Sequence, residues 1–339
     1  MKIGVELEYW VTDSEGRLVS SRELAEKLEF AEQEFVEPLI EIKTRPNSDF
    51  RQIKQEIIEK LKQLIWTAEQ LDQRIVPLGT PLNSEEIEKI PSERGEIQEK
   101  IVGEHLEAAK RVAGTHIHFE KKEVKNQLNR LTALDPALAL TNSSPYYQGE
   151  KTASSSRNQV YRYRCYRNFP RHGQLWNYVE SVDEWEERID EAFEEFLQAG
   201  EKEGVTAGEI KDNFQAENAL WTPVRLRKDF PTVEWRAPDV GKLEDTLRMV
   251  KEVKQVMEED DFSRPSFDEL EKLSEKAISE GIQNVDVIEY LLDCGFDVGE
   301  YSPLSQEVEQ GASVSLEESR EMRLKASEML EEDLDKLES

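Results

Sequence analysis

The sequence predicts an α+β fold in which helices pack on one face of a mainly antiparallel sheet. Several short segments alternate apolar with ionisable residues, as half-buried strands do, and longer segments repeat apolar residues at the 3.6-residue period of a helix. The polar residues lie in the strand segments, and the helical segments carry the apolar stripes that cover a sheet. At 339 residues the chain has the length of one large domain or two small ones.

The first segment shows the strand pattern most clearly. In residues 3–11 the odd positions are apolar, whereas Gly4, Glu6, Glu8 and Trp10 hold the even positions. Successive side chains of a strand point to opposite faces, so one face of this strand is apolar and the other carries two carboxylates. Further strands are predicted at residues 35–44, 74–79, 111–120 and 231–239.

The clearest helix covers residues 53–71, whose apolar residues recur every three or four positions. A serine followed three residues later by a glutamate indicates a capping box at the start of three helices. These pairs are Ser181 with Glu184, Ser266 with Glu269, and Ser315 with Glu318. The other predicted helices cover residues 126–140, 183–198, 243–258, 266–281, 284–292 and 315–337.

A weak boundary is predicted near residues 259–265, where the sequence EDDFSRP precedes a strongly acidic helical segment. We therefore predict a catalytic domain over residues 1–258 and an acidic helical extension over residues 259–339, packed on the same domain. No internal repeat indicates another division.

The charge balance excludes one class of partner and suggests an environment. The chain has 73 acidic and 44 basic residues and a formal net charge of −29. Binding to nucleic-acid phosphates relies on clustered basic residues, so no nucleic-acid partner is expected. An acidic surface suits a protein that stays soluble in high salt, where repulsion between like charges is screened. The composition therefore predicts a salt-loving host.

Location is predicted from what the sequence lacks. No apolar run approaches the ~20 residues that cross a membrane, and the first ten residues, MKIGVELEYW, do not resemble a signal peptide. Cys165 and Cys294 cannot form a disulfide framework, which favours a reducing compartment. We expect a cytoplasmic protein without a membrane partner.

Acidic residues in the second strand segment add to the pair in the first. Glu37 and Glu41 share one face of the predicted strand, and Glu34 lies at its start. Glu41 lies between two isoleucines, and a charge in an apolar segment needs a partner or a metal ion. Ordinary solvated faces would explain each segment taken alone.

Histidines and arginines mark two further strand segments. His116 and His118 share one face of the sequence GTHIHF, and imidazole is a common metal ligand. Glu234 and Arg236 share one face of TVEWRAPD, and Arg225 precedes them. Hydrogen-bonding histidines and a simple ion pair are the alternatives for these two segments.

The four segments together indicate more than any one of them. A sheet face with this many ionisable groups is electrostatically costly unless ligands compensate the charge. Oxygen-rich ligand sets suit Mg²⁺ or Mn²⁺ that bridge phosphates, and arginines stabilise a phosphoryl group in transfer. No G-x-x-x-x-G-K-[ST] loop is present, so a P-loop enzyme is not expected.

Five segments in order resemble the glutamate–cysteine ligases of halophilic archaea, which belong to the carboxylate–amine ligase group with a glutamine-synthetase-like fold. The resemblance covers roughly residues 1–250. The segments are VELEYW, EFVEPLIEIKT, GTHIHF, LTALDPALALTNSSPYYQGE and WTPVRLRKDFPTVEWRAPD.

The resemblance implies specific roles by position. His118, Arg157 and Arg225 would contact the nucleotide, with Arg157 the least secure match, and Arg225 and Arg236 would act on the transferred phosphoryl group. Glu34 is implied by the resemblance alone, because strand parity favours Glu37. The implied metal ligands are Glu6, Glu8, Glu34, Glu41, His116 and Glu234.

The implied reaction is the ATP-dependent joining of the γ-carboxylate of L-glutamate to the amine of L-cysteine, a step of glutathione biosynthesis. An acyl phosphate would form first, and the amine would displace phosphate to give γ-glutamylcysteine. ATP and Mg²⁺, or Mn²⁺, would be required, and relatives suggest a homo-oligomer. Tyr146, Tyr147 and Gln148 are candidates for the amine pocket.

Three alternatives to this reaction stay open from the sequence. An enzyme of the same fold could use another amine, or it could phosphorylate a guanidino group as a kinase does. A binding protein that kept the fold without activity is the third alternative. The acids and arginines cannot separate the first two alternatives, because both reactions transfer a phosphoryl group.

Overall fold

A computed structural model of the chain describes residues 1–219, 221–228, 230–259 and 261–338. Its strands are β1 (Ile3–Asp13), β2 (Ala31–Gln33), β3 (Leu39–Lys43), β4 (Gln73–Val76), β5 (Thr115–Glu120), β6 (Tyr146–Tyr147), β7 (Glu150–Lys151), β8 (Val224–Leu226) and β9 (Thr232–Trp235). Its helices are α1 (Arg22–Lys27), α2 (Phe50–Glu69), α3 (Glu93–Val102), α4 (Val124–Ala133), α5 (Ser156–Val160), α6 (Val182–Lys202), α7 (Ala207–Asn213), α8 (Ala216–Ala219), α9 (Leu243–Glu258), α10 (Phe267–Ser279), α11 (Val285–Asp293), α12 (Leu304–Val308) and α13 (Leu316–Glu338). The longest 3₁₀ helices are Gly103–Arg111 and Asp135–Thr141.

The central sheet of the described residues has seven strands, six of them in the order β2-β3-β1-β5-β9-β8, and β4 pairs with β1. Each of these pairings is antiparallel. The long strand β1 forms the centre, because β3, β4 and β5 all pair with it. The predicted α+β fold with a mainly antiparallel sheet is confirmed.

The apolar face of the sheet forms the main core. Ile3, Val5, Leu7 and Tyr9 are each about 1% exposed, because the pleat turns every second side chain of β1 to this face. Helix α2 packs there with the apolar stripe that the sequence predicted, and α13 packs beside it.

A second apolar cluster lies apart from the sheet core and is formed by α3, α6, α7, α8 and the segments between them. Phe196 of α6 packs against Phe169 and Phe214, with ring centroids 6.1 Å and 5.3 Å apart. Together with residues 103–112 and 161–166, these helices form a helical lobe, and the lobe faces the polar side of the sheet.

Several predicted elements are shorter in the structure than expected, and a proline explains the change in two of them. The strand predicted at residues 35–44 begins only at Leu39, because Pro38 has no N–H for the strand ladder. The helix predicted at 126–140 stops at Ala133, and a 3₁₀ helix containing Pro136 follows. The short strands β2, β6 and β7 were not predicted from periodicity.

The capping boxes are confirmed at two of the three predicted positions. Ser266 and Glu269 exchange both hydrogen bonds, as do Ser315 and Glu318. At the start of α6, Ser181 accepts a bond from the N–H of Glu184, but the Glu184 carboxylate accepts its bond from the N–H of residue 180 instead.

The C-terminal helix α13 contacts α2, α9 and β4. Its Arg323 is fully buried and donates to the carbonyls of Gly16 and Pro81. The division of the chain at residue 258 remains a prediction. Within the described ranges, no helix combines the length and the apolar character needed to cross a membrane.

A buried carboxyl between α9 and α13 makes stability depend on pH. Asp245 is 3% exposed, and burial together with the nearby charge of Asp333 raises its pKa to about 7. The folded protein therefore holds this proton more tightly than the unfolded chain does. The resulting stabilisation is complete below the unfolded pKa of ~4 and is lost as the pH rises through 7.

We predict that Asp245→Asn becomes progressively more stable than the wild type as the pH rises, because an amide cannot ionise. The advantage in the free energy of unfolding should grow by about 2 kcal/mol between pH 5 and pH 8. Urea unfolding at several pH values measures it, with the exposed Asp190→Asn as the matched control. A constant difference across this range would show that the carboxyl is not held protonated.

Candidate active site

The register of the sheet arranges the ionisable residues of its polar face in three rows that run across the strands. Residues of one strand that share this face are two positions apart, which is why the sequence pairs predicted the face correctly. The first row is Glu32, Glu41 and Glu8, and the second is Lys43, Glu6 and His116. The third is His118, Glu234 and Arg225, with Gly4 opposite His118 on β1.

Glu6 connects two groups of potential metal ligands. Ligand atoms of Glu6, Glu41 and His116 all lie within 4.8 Å of one another, and so do those of Glu6, His118 and Glu234. The Glu6 carboxylate lies 3.2 Å from His116 Nδ1 and 3.3 Å from His118 Nε2. Four strands that are distant in sequence therefore contribute to one cluster.

The carboxylates of this cluster repel one another in a buried setting. Burial, followed by the charges of neighbouring carboxylates, raises the pKa of Glu41 to about 9. The same two causes raise the pKa values of Glu8 and Glu34 to about 7. Such shifts are typical of like charges that share a site, and a cation among them would relieve the repulsion.

The histidines have the opposite effect on Glu6. Burial raises the pKa of Glu6, but hydrogen bonds with His116 and His118 outweigh burial and hold this pKa below its usual value. Burial itself lowers the pKa of His116 to about 4, so its imidazole is neutral at pH 7. A neutral imidazole has a free nitrogen lone pair, as a metal ligand requires.

Arginines surround the fully buried Glu234. Its Oε2 accepts a hydrogen bond of 2.7 Å from Arg225 Nε, and its Oε1 lies 3.0 Å from Arg236 Nε without hydrogen-bond alignment. Burial raises the pKa of Glu234, but these two guanidinium groups outweigh burial and hold it well below its usual value. The ion pair considered from the sequence is therefore present, and it includes both Arg225 and Arg236.

Arg157 reaches the same cluster from α5. It is 3% exposed, and it donates to the carbonyls of Arg236 and Ala237 over 3.1 Å and 3.0 Å. Its Nε is buried without a hydrogen-bond partner in the described structure. The absence of a side chain at Gly114 leaves room for the guanidinium, because a Cβ there would overlap it.

Two cavities of about 400 and 440 Å³ meet at this cluster. The first cavity lies between the sheet and the helical lobe, and the second opens beside β3 and the β8–β9 turn. Both are lined by Glu8, Glu34, His116, Arg225 and Arg236. The first is also lined by Arg157, Tyr161, Tyr166 and Trp221, and the second by Glu6, Glu41, Lys43, His118 and Arg227.

The structure places Glu34 and Glu37 in different surroundings. Glu34 lines both cavities, as the resemblance implied. Glu37 lies in the turn before β3, where its carboxylate binds Arg22 and accepts a hydrogen bond from Gln33. Strand parity failed here because Pro38 ends the ladder and places residues 34–38 in a turn.

The residues suggested for the amine pocket lie outside both cavities. The Tyr146 hydroxyl is engaged by residues 310 and 311, and the Tyr147 ring lies beside Arg164 in the second apolar cluster. Gln148 is an exposed turn residue. Their assignment to the amine pocket stays a prediction, and neither of the two cavities supports it.

Sequence reasoning missed two kinds of site residue. Tyr161, Tyr166 and Trp221 come from an irregular segment and a loop, where no periodicity assigns a face; Tyr161 and Trp221 pack edge to face at 4.3 Å. Lys43 was missed although its spacing of two from Glu41 places it on the polar face of β3.

The sequence of this chain matches the family model of glutamate-cysteine ligase family 2 over residues 2–275. The chain belongs to this family. The predicted family and the predicted ligase class are therefore confirmed. No curated protein matches the ligase in sequence.

Two solved structures share the fold of this ligase. A bifunctional glutathione synthetase from Pasteurella multocida has a TM-score of 0.61 at 16% identity and is covered over 52% of its length by 98% of this chain. A glutamate–cysteine ligase from Francisella tularensis, solved in complex with AMP, has a TM-score of 0.60 at 11% identity, with 99% of this chain and 92% of that chain covered. The ligase thus spans about half the length of the bifunctional protein, and at these identities the likeness shows the fold alone.

We predict that Gly114→Ala destabilises the ligase by about 1–3 kcal/mol, because the added methyl group displaces the buried Arg157 guanidinium from its two carbonyl partners. Denaturant unfolding measures the change. Gly4→Ala is the matched control on β1, since its Cβ would meet the nearest atom only at 3.8 Å. Equal stability of the two variants would contradict the tight approach of Arg157.

Proposed function

We propose that this ligase joins the γ-carboxylate of L-glutamate to the amine of L-cysteine at the expense of ATP. The supporting observation is the convergence of acids, histidines and arginines from separate strands on one face, between two cavities. Family membership supports the reaction class, and the charge pattern supports phosphoryl transfer.

The donor set fits divalent metal ions. Glu41 Oε1 and Glu234 Oε1 are buried without hydrogen-bond partners in the described structure. Carboxylate oxygens and a few imidazole nitrogens are ligands that Mg²⁺ and Mn²⁺ accept. Bound there, the ions would neutralise phosphate charge. We propose as ligands Glu6, Glu8, Glu34, Glu41, His116 and Glu234.

The side chains that line the two cavities differ, and each set suits a different substrate. Arg157 and the rings of Tyr161 and Trp221 line only the first cavity, which suits amino acids with carboxylate groups. His118, Arg227 and Lys43 line the second cavity, which suits a triphosphate. Arg157 lines only the first, so its proposed contact is an amino-acid substrate rather than the nucleotide.

The chemistry proceeds by positioning and charge compensation. A γ-carboxylate oxygen attacks the γ-phosphorus of ATP, and the bond to the β–γ bridging oxygen breaks to release ADP. The cysteine nitrogen then attacks the carbonyl carbon of the acyl phosphate, phosphate leaves, and the nitrogen loses a proton. Arg225 and Arg236 stabilise the charge on the equatorial phosphoryl oxygens.

ADP release with ATP, Mg²⁺, L-glutamate and L-cysteine tests the proposal directly. We expect turnover that depends on both amino acids, and the assay should include high salt because of the net charge of −29. Turnover with another amine in place of cysteine would keep the reaction class and change the substrate. A folded protein that binds Mg-ATP but releases no ADP with any amine would reject the ligase proposal.

Glu41→Gln and Arg236→Ala should each lower turnover by at least ~10²-fold, because the first removes a proposed metal-binding carboxylate and the second removes a guanidinium group from the site. Steady-state ADP release measures both. The matched control is Glu37→Gln, four residues from Glu41 but located in the turn, which should keep near-wild-type turnover. Wild-type activity in both site variants would remove the proposed site.

A further inference from the structure

Lys43 lies on the polar face of β3, next to the carboxylates of the cluster. It lies opposite Glu6 in the register of β1 and β3. Its Nζ lies 2.8 Å from Glu41 Oε1 and 2.9 Å from Glu32 Oε2. The side chain therefore bridges a proposed metal ligand inside the cavity and a carboxylate at the outer strand.

The other cations of the site do not take this position. Arg225, Arg227 and Arg236 direct their guanidinium groups to Glu234, in the third row. Glu41 is 3% exposed and lies between the acidic neighbours Glu8 and Glu32 in its own row. In the described structure the cation in contact with Glu41 is therefore the Lys43 ammonium.

The contact between Lys43 and Glu41 is close but poorly directed. Glu41 Oε1 has no aligned hydrogen bond although the ammonium lies 2.8 Å away. An ion pair without alignment compensates charge but holds the carboxylate oxygen less firmly than a directed hydrogen bond would, so another cation can displace the ammonium. Lysine suits this role, because its ammonium is a point charge on a flexible stem.

We propose that Lys43 is a resident counterion that competes with the divalent metal ion for Glu41 and is displaced when that ion binds. The proposal rests on the metal site of the proposed function. Glu32 gives the ammonium a place to remain, because its side chain is 65% exposed at the outer strand β2 and already contacts Nζ. The Lys43 side chain itself is 40% exposed, so it can leave Glu41 without crossing the core.

The consequence is a lower metal affinity than the carboxylates alone would provide. Without the ammonium, the cluster keeps its negative charge and binds a divalent cation more tightly. A supporting role for Lys43, in which it only holds Glu41 in place, predicts the reverse, because a loosened ligand binds metal more weakly. The sign of the change therefore separates the two roles.

Titration of the full-length protein with Mn²⁺ alone, in the absence of nucleotide and amino acids, tests the proposal. Calorimetry or the electron paramagnetic resonance signal of free Mn²⁺ reports the affinity. We expect Lys43→Gln to bind Mn²⁺ about tenfold more tightly than the wild type, and Lys43→Arg, which keeps the charge, to stay within about threefold of it. Lys27→Gln is the matched control, because it removes one positive charge from a surface pair with Glu23.

Unchanged or weaker Mn²⁺ binding by Lys43→Gln would overturn the proposal. If that variant does not fold, the wild type still decides. The side-chain ammonium resonance of Lys43, assigned by its loss in Lys43→Arg, should shift on addition of Mg²⁺, and an unmoved resonance at saturation would also overturn the proposal. A wild type that binds no Mn²⁺ would instead remove the metal site of the proposed function, so the two failures are distinguishable.

Discussion

Repulsion between carboxylates on one face of a sheet is the constraint on which the site depends. Glu8, Glu41 and Glu32 form a row across three neighbouring strands, where like charges directly opposite one another destabilise the pairing. The structure tolerates this row because Lys43 and His116 of the second row lie beside it. The remaining repulsion destabilises the cluster, and a bound cation would relieve it.

The rest of the fold holds this face in place. The opposite face of the same strands is apolar and packs on α2 and α13, so the strands cannot slip by one residue without exchanging carboxylates for core side chains. On the polar side, the helical lobe closes the first cavity with Tyr161, Tyr166 and Trp221. Arg157 links the two layers through the backbone carbonyls of Arg236 and Ala237, the two residues after β9.

Much of the fold and of the proposed site could be predicted from local patterns. Periods of two and of 3.6 residues identified the main strands and helices, because these elements have one apolar face in a core and one polar face. The same periods paired Glu6 with Glu8 and His116 with His118. They failed where a proline interrupts an element, which is why strand parity favoured Glu37 and Glu34 was assigned only through resemblance.

Face, spacing and residue type follow from the chain alone, because the pleat of a strand is a local property. Which strands lie side by side is a long-range outcome of packing and pairing, and only the folded structure decides it. That outcome joins Glu6 to both histidines, brings Arg225 to Glu234 and places Lys43 against Glu32. It also brings Tyr161 and Trp221 to the cavity, since loops follow no period and take their positions from the elements they connect.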